Sequence, residues 1–231
     1  MFHPFHCVSN HVSRKLNLAG TSPAASWARH IWFQNFIKSL ERLELGTVPG
    51  STRSTTFHKF YPQNTNMPVS LELCCGTQSF TKVARELGYT NNITLDNDAR
   101  FAPSILMDIR EWDYRRWFAD RNMTTVDLVW ASCPCTMYSN ARKTGPEPDL
   151  ATADQIAMKC LEIIAYLRPR RFFVENPASS LLKTRPFMQP YNDRSYILDY
   201  CQYDGGEAGR RKRTRIWTNR TGFVPRRCPR D

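Results

Sequence analysis

Two pairs of chemically active residues follow apolar segments of this sequence. Pro134 and Cys135 come directly after the apolar run of residues 126–131, in VDLVWASCPC. Glu175 and Asn176 end a second apolar run, RFFVENP. Each run is typical of a buried strand, and residues that follow the strands of an α/β sheet lie at the edge where such proteins bind and react. The pattern therefore predicts a thiol nucleophile and a proton-handling carboxyl group at one edge of a sheet.

A strand, a glycine turn and a helix precede these segments. Ser70–Leu73 has the composition of a strand, CCGTQS that of a turn, and the apolar residues that follow have helical spacing as far as Gly88. A second strand, Asn92–Asp96, ends in an acid about twenty positions after Gly76. In nucleotide-binding βαβ units, an acid at this position binds ribose hydroxyls. A plain βαβ core would show the same pattern.

The rest of the chain continues the alternation of strands and helices. Apolar residues over 151–167 have helical spacing and stop at Pro169. Two further strands, Tyr196–Tyr200 and Arg215–Thr218, flank a glycine-rich basic segment typical of a hairpin. We therefore expect an α/β fold with a doubly wound, mostly parallel sheet and a closing antiparallel hairpin. The aromatic residues of segment 112–118 are expected to pack in the core.

The positive charge of the chain is concentrated at its two ends. Residues 1–66 carry seven Lys and Arg against two Glu, residues 67–203 carry sixteen residues of each sign, and residues 204–231 carry nine basic against three acidic residues. Basic ends favour a polyanion such as nucleic acid, because neutralised phosphates release counterions. Solvated tails without a ligand are the alternative. No run of about 18 apolar residues indicates a membrane span, so we expect no membrane partner.

The 231 residues and 41% hydrophobic content suit one α/β domain with an addition. We expect a catalytic domain at 67–222, preceded by a basic appendage at 1–66 with a helix at 27–45 and followed by a basic tail at 223–231. The eight cysteines form no CxxC pair, which favours reduced thiols over disulfides or zinc. We expect an intracellular protein of the nucleus or cytoplasm, including a virus-encoded one; the Arg/Ser-rich appendage also fits an organelle transit peptide.

Taken in order, LELCCGTQSF, TLDND, MDI, SCPCTMYS, FFVENP and RKRTRIW resemble the motif series of the cytosine-C5 DNA methyltransferases, especially compact viral and phage forms. The resemblance implies a Rossmann-like methyltransferase sheet, S-adenosylmethionine as cofactor, and DNA as partner with its target cytosine flipped out or single-stranded. RNA is an alternative substrate, because the tRNA-methylating branch of the family uses the same chemistry. A catalytically silent nucleic-acid-binding relative is an alternative function.

The resemblance also implies four catalytic residues. Cys135 adds to C6 of cytosine, and Glu175 hydrogen-bonds the N3 and amine edge of the base. Arg215 lies near the base or the sulfur, where a guanidinium favours a thiolate, and Arg213 lies nearer a phosphate. The Asn176–Pro177 pair is expected to form the turn that presents Glu175. In a silent relative, Cys135 would be an inert buried thiol and Glu175 a structural acid.

The cofactor site implied by the resemblance surrounds the glycine turn. The segment from Leu73 to Phe80 cradles the methionine part of S-adenosylmethionine, Asp96 binds the ribose, and Asp108 binds the adenine amine. Strand-end caps are the alternative role for both acids. The implied cofactor residues are Leu73, Cys74, Gly76, Thr77, Phe80, Asp96, Asp108 and Pro134.

The sequence departs from the family pattern at three places. Cys74 stands where the family has an aromatic residue, and Gln78 stands where it has the second glycine of the turn. Only twelve residues follow Asn219, where family members usually carry a large target-recognition region. We therefore expect recognition to be minimal, or to come from the appendage or from a separate partner protein.

Overall fold

The structure, a computed structural model, describes residues 67–139, 147–203 and 212–229. The appendage 1–66, with its expected helix at 27–45, lies outside the described residues, as does most of the segment between the last two strands. Within the described ranges, no helix is long and apolar enough to cross a membrane.

Seven strands of the described chain form one sheet. They are β1 (Val69–Leu73), β2 (Asn91–Asp96), β3 (Ile105–Leu106), β4 (Leu128–Ala131), β5 (Arg171–Pro177), β6 (Ser195–Asp199) and β7 (Arg213–Thr218). Their order across the sheet is β3-β2-β1-β4-β5-β7-β6. β1 to β5 are parallel, and β7 is antiparallel to both of its neighbours. The mostly parallel sheet with a closing antiparallel pair is confirmed, and β7 inserts between β5 and β6.

Three α-helices accompany this sheet in the described ranges: α1 (Ser79–Glu86), α2 (Tyr114–Ala119) and α3 (Leu150–Leu167). The expected helix after the glycine turn is therefore α1, and the expected helix before Pro169 is α3. α3 begins after Asp149, whose carboxylate caps the Thr152 N–H, and ends at Arg168 in the left-handed conformation. Short 3-10 segments lie at Ala99–Phe101, Leu181–Thr184, Pro186–Arg194 and Tyr200–Gln202.

The two faces of the sheet carry separate apolar clusters. Because side chains alternate along a strand, Leu71 and Leu73 face the cluster that contains the α2 and α3 residues. Trp130 faces the other cluster and stacks on Phe80 of α1, with 5.5 Å between the ring centroids. The aromatic residues of 112–118 pack as expected, since Trp112, Tyr114 and Phe118 are buried in the cluster with α3.

The amino end of α1 is capped by a residue of the sheet. Gln78, at the N-cap position, makes no side-chain cap hydrogen bond. Instead, the Glu72 carboxylate accepts hydrogen bonds from the backbone N–H of Phe80 at 3.3 Å and of Thr81 at 2.9 Å. Glu72 is only 2% exposed, and this burial raises the pKa of its carboxyl group to about 7.

Residues 223–229, expected as part of a tail, lie along β6. The Asp199 N–H donates to the Arg226 carbonyl at 3.1 Å. The Cys228 N–H donates to the buried Asp199 carboxylate at 2.9 Å, and the Arg227 guanidinium lies 3.4 Å from the same group. Phe223 is buried as well, so this segment packs onto the sheet.

We expect Glu72→Gln to reduce the pH dependence of stability. The Glu72 carboxyl group has a pKa of about 7 against an ordinary 4.5, so the folded state holds this proton more tightly than the unfolded state. Its contribution to stability is fully present below the ordinary value and is lost as the pH rises through about 7, a change on the order of 3 kcal/mol. Urea unfolding at a series of pH values measures this change.

The matched control for this experiment is Glu86→Gln, because Glu86 is an exposed carboxylate at the other end of the same helix. The control variant should keep the wild-type slope of unfolding free energy against pH. Parallel slopes for Glu72→Gln and the wild type would show that the buried Glu72 carboxyl group does not produce this pH dependence.

Candidate active site

The loop after β4 carries Cys135. Its backbone is held at two points: Asn176 of β5 donates from Nδ2 to the Cys133 carbonyl at 2.8 Å, and the Tyr138 N–H donates to the Cys135 carbonyl at 3.1 Å. Cys133 is buried, whereas Cys135 is half-buried. The thiol before the proline therefore packs in the core, and the thiol after it is accessible from the edge of the sheet.

Asn176 and Pro177 do not form the expected turn. Both belong to β5, where they pair with Arg215 and Thr214 of β7. The prediction was wrong because β7 extends the pairing of β5 beyond its apolar run. Asn176 is fully buried, and it positions the neighbouring Cys135 loop.

Glu175 precedes Asn176 in β5 and therefore points to the opposite face of the sheet. Its Oε1 accepts hydrogen bonds from Tyr200 Oη and Lys212 Nζ, both at 3.4 Å. The Lys212 ammonium lies 5.1 Å from the centre of the Tyr200 ring. Burial, together with the charge of Glu175, raises the pKa of Tyr200 well above its ordinary value, so Tyr200 stays a hydrogen-bond donor.

Arg213 and Arg215 have different surroundings. The Arg213 Nε lies 3.2 Å from Oδ1 of the buried Asp199. Arg215 donates from Nη1 to Ser195 Oγ at 2.6 Å, and its guanidinium lies 5.8 Å from the Trp217 ring centre. Among the described residues no carboxylate pairs with Arg215, its buried Nε has no hydrogen-bond partner, and burial lowers its pKa. Arg215 is therefore a partly desolvated cation suited to an anion.

Three neighbouring strands bring the expected catalytic residues to one edge of the sheet. β4 and β5 are parallel neighbours, so the Cys135 loop and the end of β5 that contains Glu175 share an edge. β7 is antiparallel to β5 and places Arg215 opposite Asn176. The beginning of β7 therefore lies at the same edge as the ends of β4 and β5. This edge carries a thiol, a carboxyl group and a guanidinium, and within it Glu175 and Arg215 start from opposite faces of the sheet.

The turn after β1 lies at the same edge and has an unusual backbone. Cys74, Gly76 and Gln78 have φ values of 54°, 47° and 55°, in the left-handed region that favours glycine. The Gly76 N–H donates to Asp96 Oδ2 at 2.9 Å, which ties the turn to the end of β2. A Cβ atom added to Gly76 would meet no atom within 4 Å, so the space over the turn can admit a ligand.

The side chain of Gln78 connects the turn to the loop after β2. Its Nε2 donates to the carbonyls of Phe101 at 2.7 Å and Ala102 at 3.0 Å. At this position the glutamine adopts the backbone conformation expected for a glycine and adds two hydrogen bonds that a glycine lacks. The two loops at the ends of β1 and β2 are therefore joined.

Asp96 and Asp108 differ in how much of their carboxylates is engaged. Asp96 accepts one backbone N–H on each oxygen, from Gly76 and, at 3.0 Å, from Asp98. Both oxygens of Asp108 accept hydrogen bonds from the Arg110 guanidinium, Oδ1 from Nε at 3.0 Å and Oδ2 from Nη2 at 2.6 Å. This contact holds the pKa of Asp108 below its ordinary value. Asp96 therefore has more remaining capacity to accept hydrogen bonds from a ligand.

The other expected cofactor residues divide between core and surface. The side chains of Leu73 and Phe80 are buried on opposite faces of the sheet, so they anchor the two ends of the turn in the core. Thr77 has its hydroxyl 3.0 Å from that of Ser79 at the surface, and Pro134 is exposed beside Cys135.

Two contacts of Glu175 were not expected from the sequence. Lys212 stands directly before Arg213 in RKRTR, and its position beside the Arg-x-Arg motif was the available signal. No sequence signal identifies Tyr200, because its contact with Glu175 depends on β7 lying between β5 and β6.

This chain matches no protein-family model. It resembles a crystal structure from E. coli titled a "putative DNA modification methyltransferase encoded within prophage", at 14% identity and a TM-score of 0.45; the match covers 65% of this chain but only 46% of that one. It also resembles the plantazolicin methyltransferase BpumL in complex with SAH, at 8% identity and a TM-score of 0.41, over 86% of this chain and 90% of that one.

A viral protein gives a far stronger sequence match. The "Probable DNA (cytosine-5)-methyltransferase" of Frog virus 3 (isolate Goorha) is 35% identical to this chain over 170 residues. The match covers 68% of this chain and 73% of the viral protein. On this extent of identity, the chain belongs to the DNA (cytosine-5)-methyltransferase family.

Proposed function

We propose that this protein methylates C5 of cytosine in DNA through a covalent bond between Cys135 and C6 of the base. The observation that carries the proposal is the convergence of β4, β5 and β7, with Cys135, Glu175 and Arg215, at one edge of the sheet. The name of the viral relative, which gives DNA as its substrate, supports DNA as the acceptor.

S-adenosylmethionine, the methyl donor of this family, supplies an electrophilic methyl group. The residues at the turn after β1 fit such a ligand, because the space over Gly76 is open and the Asp96 oxygens keep lone pairs for ribose hydroxyls. We assign the adenine amine to Oδ2 of Asp108, which accepts only from the Arg110 guanidinium, whereas Oδ1 also accepts from the Arg110 backbone N–H.

The proposed role of Cys135 follows from the low reactivity of cytosine C5. The Cys135 thiolate adds to C6, and the electrons of the C5–C6 double bond then make C5 nucleophilic. Glu175 supports this addition by giving a proton to N3, which prevents negative charge from building on the ring. Once C5 carries the methyl group, solvent water takes up the C5 proton, and the electrons of the broken C5–H bond restore the C5–C6 double bond and expel the Cys135 thiolate.

The surroundings of Arg215 suit the thiolate step. Its guanidinium is partly desolvated and has no carboxylate partner in the described part of the chain. It lies in register with Asn176, which holds the Cys135 loop. A cation in this environment favours the thiolate over the thiol.

The target base must also leave the helix stack, because a stacked cytosine does not present the faces of C5 and C6.

Covalent trapping tests the nucleophile. We expect the wild type, with S-adenosylmethionine and DNA that contains 5-fluorocytosine, to form an adduct that survives denaturation, because fluorine at C5 prevents release of the enzyme. Cys135→Ala should form none, whereas Cys228→Ala, which changes a buried thiol of the segment along β6, should react like the wild type. An adduct with fluorinated tRNA and not DNA would contradict DNA as the substrate, and an adduct that persists in Cys135→Ala would contradict the assigned nucleophile.

The two arginines should differ when they are replaced. We expect Arg215→Ala to slow methyl transfer about 100-fold with little change in melting temperature, in line with the loss of a charge that acts on a reacting group. Arg213→Ala should lower stability by about 2 kcal/mol, because the buried Asp199 loses a cation. Single-turnover rates and thermal unfolding measure the two effects. Equal losses of rate in both variants, with equal losses of stability, would contradict separate roles.

Replacement of Gln78 should weaken cofactor binding. Gln78→Ala loses both hydrogen bonds to the loop after β2 and keeps the unfavourable backbone conformation, so we expect about 10-fold weaker binding of S-adenosylhomocysteine by calorimetry. Gln78→Gly relieves the backbone and should lose less. Gln189→Ala, at an exposed position of a 3-10 segment, is the control. Wild-type affinity in both Gln78 variants would show that the connection between the loops does not contribute to binding.

A further inference from the structure

The two carboxyl oxygens of Glu175 have different contacts. Oε1 accepts from both Tyr200 Oη and Lys212 Nζ, at 3.4 Å each. Within the described ranges, no donor contacts Oε2. Because Tyr200 and Lys212 both donate to Oε1, Oε2 is the carboxyl oxygen that remains available to a base.

We propose that Tyr200 and Lys212 are positioning residues that hold Glu175 by Oε1, so that Oε2 is the atom that gives a proton to N3 of cytosine. We call these two side chains the Oε1 clamp. The inference rests on the proposed function, and it adds two residues and an assignment of oxygens to it. Neither residue is expected to touch the base.

The charges of the addition step give the clamp its role. When the Cys135 thiolate bonds to C6, the bond between Oε2 and its proton breaks and a bond between N3 and that proton forms. The negative charge that began on sulfur ends on the Glu175 carboxylate, and the ring stays neutral. Lys212 and Tyr200 then stabilise a full negative charge, which hydrogen bonds to charged groups do more strongly than those to neutral ones. When the adduct breaks down, the proton returns from N3 to Oε2.

The Oε1 clamp has a buried part, Tyr200, and an exposed part, Lys212. Tyr200 is buried, and its N–H donates to the Lys212 carbonyl at 3.1 Å, so the two backbones are joined across the ends of β6 and β7. The Lys212 side chain is 57% exposed, whereas that of Glu175 is 13% exposed. The packing of the Lys212 ammonium over the Tyr200 ring limits where the exposed lysine can go.

The test measures the rate of adduct formation with 5-fluorocytosine DNA at saturating DNA and cofactor. We expect Tyr200→Phe to slow it about 3- to 10-fold and Lys212→Met about 10- to 100-fold, the ranges for a neutral and a charged hydrogen bond. Lys212→Arg should recover most of the rate, because it keeps the charge. Affinity for S-adenosylhomocysteine and melting temperature should stay at wild-type values in all three variants.

Matched controls are Tyr203→Phe, which changes a buried tyrosine near the same turn, and Lys82→Met, which removes an exposed charge on α1. Both should react like the wild type. Clamp variants that form the adduct as fast as these controls would overturn the inference. So would a Lys212→Arg variant that reacts no faster than Lys212→Met. A loss of rate seen at low DNA concentration that vanishes at saturating DNA would also overturn it, since it would reflect DNA binding. Slower reaction in proportion to lost stability or cofactor affinity would also overturn it. A wild type that forms no adduct would overturn the proposed function itself.

Discussion

The hydrogen bond from Asn176 Nδ2 to the Cys133 carbonyl is the constraint on which the edge of the sheet depends. It joins β5 to the loop after β4 at 2.8 Å, in a place where Asn176 is fully buried. Leaving the buried Cys133 carbonyl without this donor would cost free energy. The hydrogen bond therefore favours one conformation of the loop. Asn176 also pairs with Arg215 on β7. One buried residue thus connects the three strands that carry the catalytic candidates, through its side-chain amide to the β4 loop and through its backbone to β7.

The ionic groups around this edge are divided between pairs that fix structure and charges that remain available. Asp199 is enclosed by Arg213, Arg227 and the Cys228 N–H, which suits a purely structural carboxylate. Arg215 has no such carboxylate among the described residues. The half-buried Arg215 guanidinium thus keeps its charge without a counterion from the described residues. Such a charge is typical of groups retained for binding or reaction.

The sequence predicts most of the fold, because local patterns encode it. Alternating apolar runs, the glycine turn and Pro169 locate β1, β2, α1, α3 and β5 to within a few residues. Long-range pairing is not encoded in this way. The insertion of β7 changes Asn176 from an expected turn residue to a strand residue, and it brings Tyr200 to Glu175. The effect of Gln78 was equally inaccessible, since its partners are carbonyls of another loop.

Both edges of the sheet are poorly suited to pair with another strand. β3 at one edge is only two residues long, and β6 at the other edge has the Asp199 N–H already bonded to Arg226 of the segment 223–229. Exposed, regular edge strands invite pairing between molecules, and short or covered edges discourage it. Association by continuation of the sheet is thus disfavoured. Contacts between this domain and another protein would then use side chains of its helices and loops rather than strand pairing.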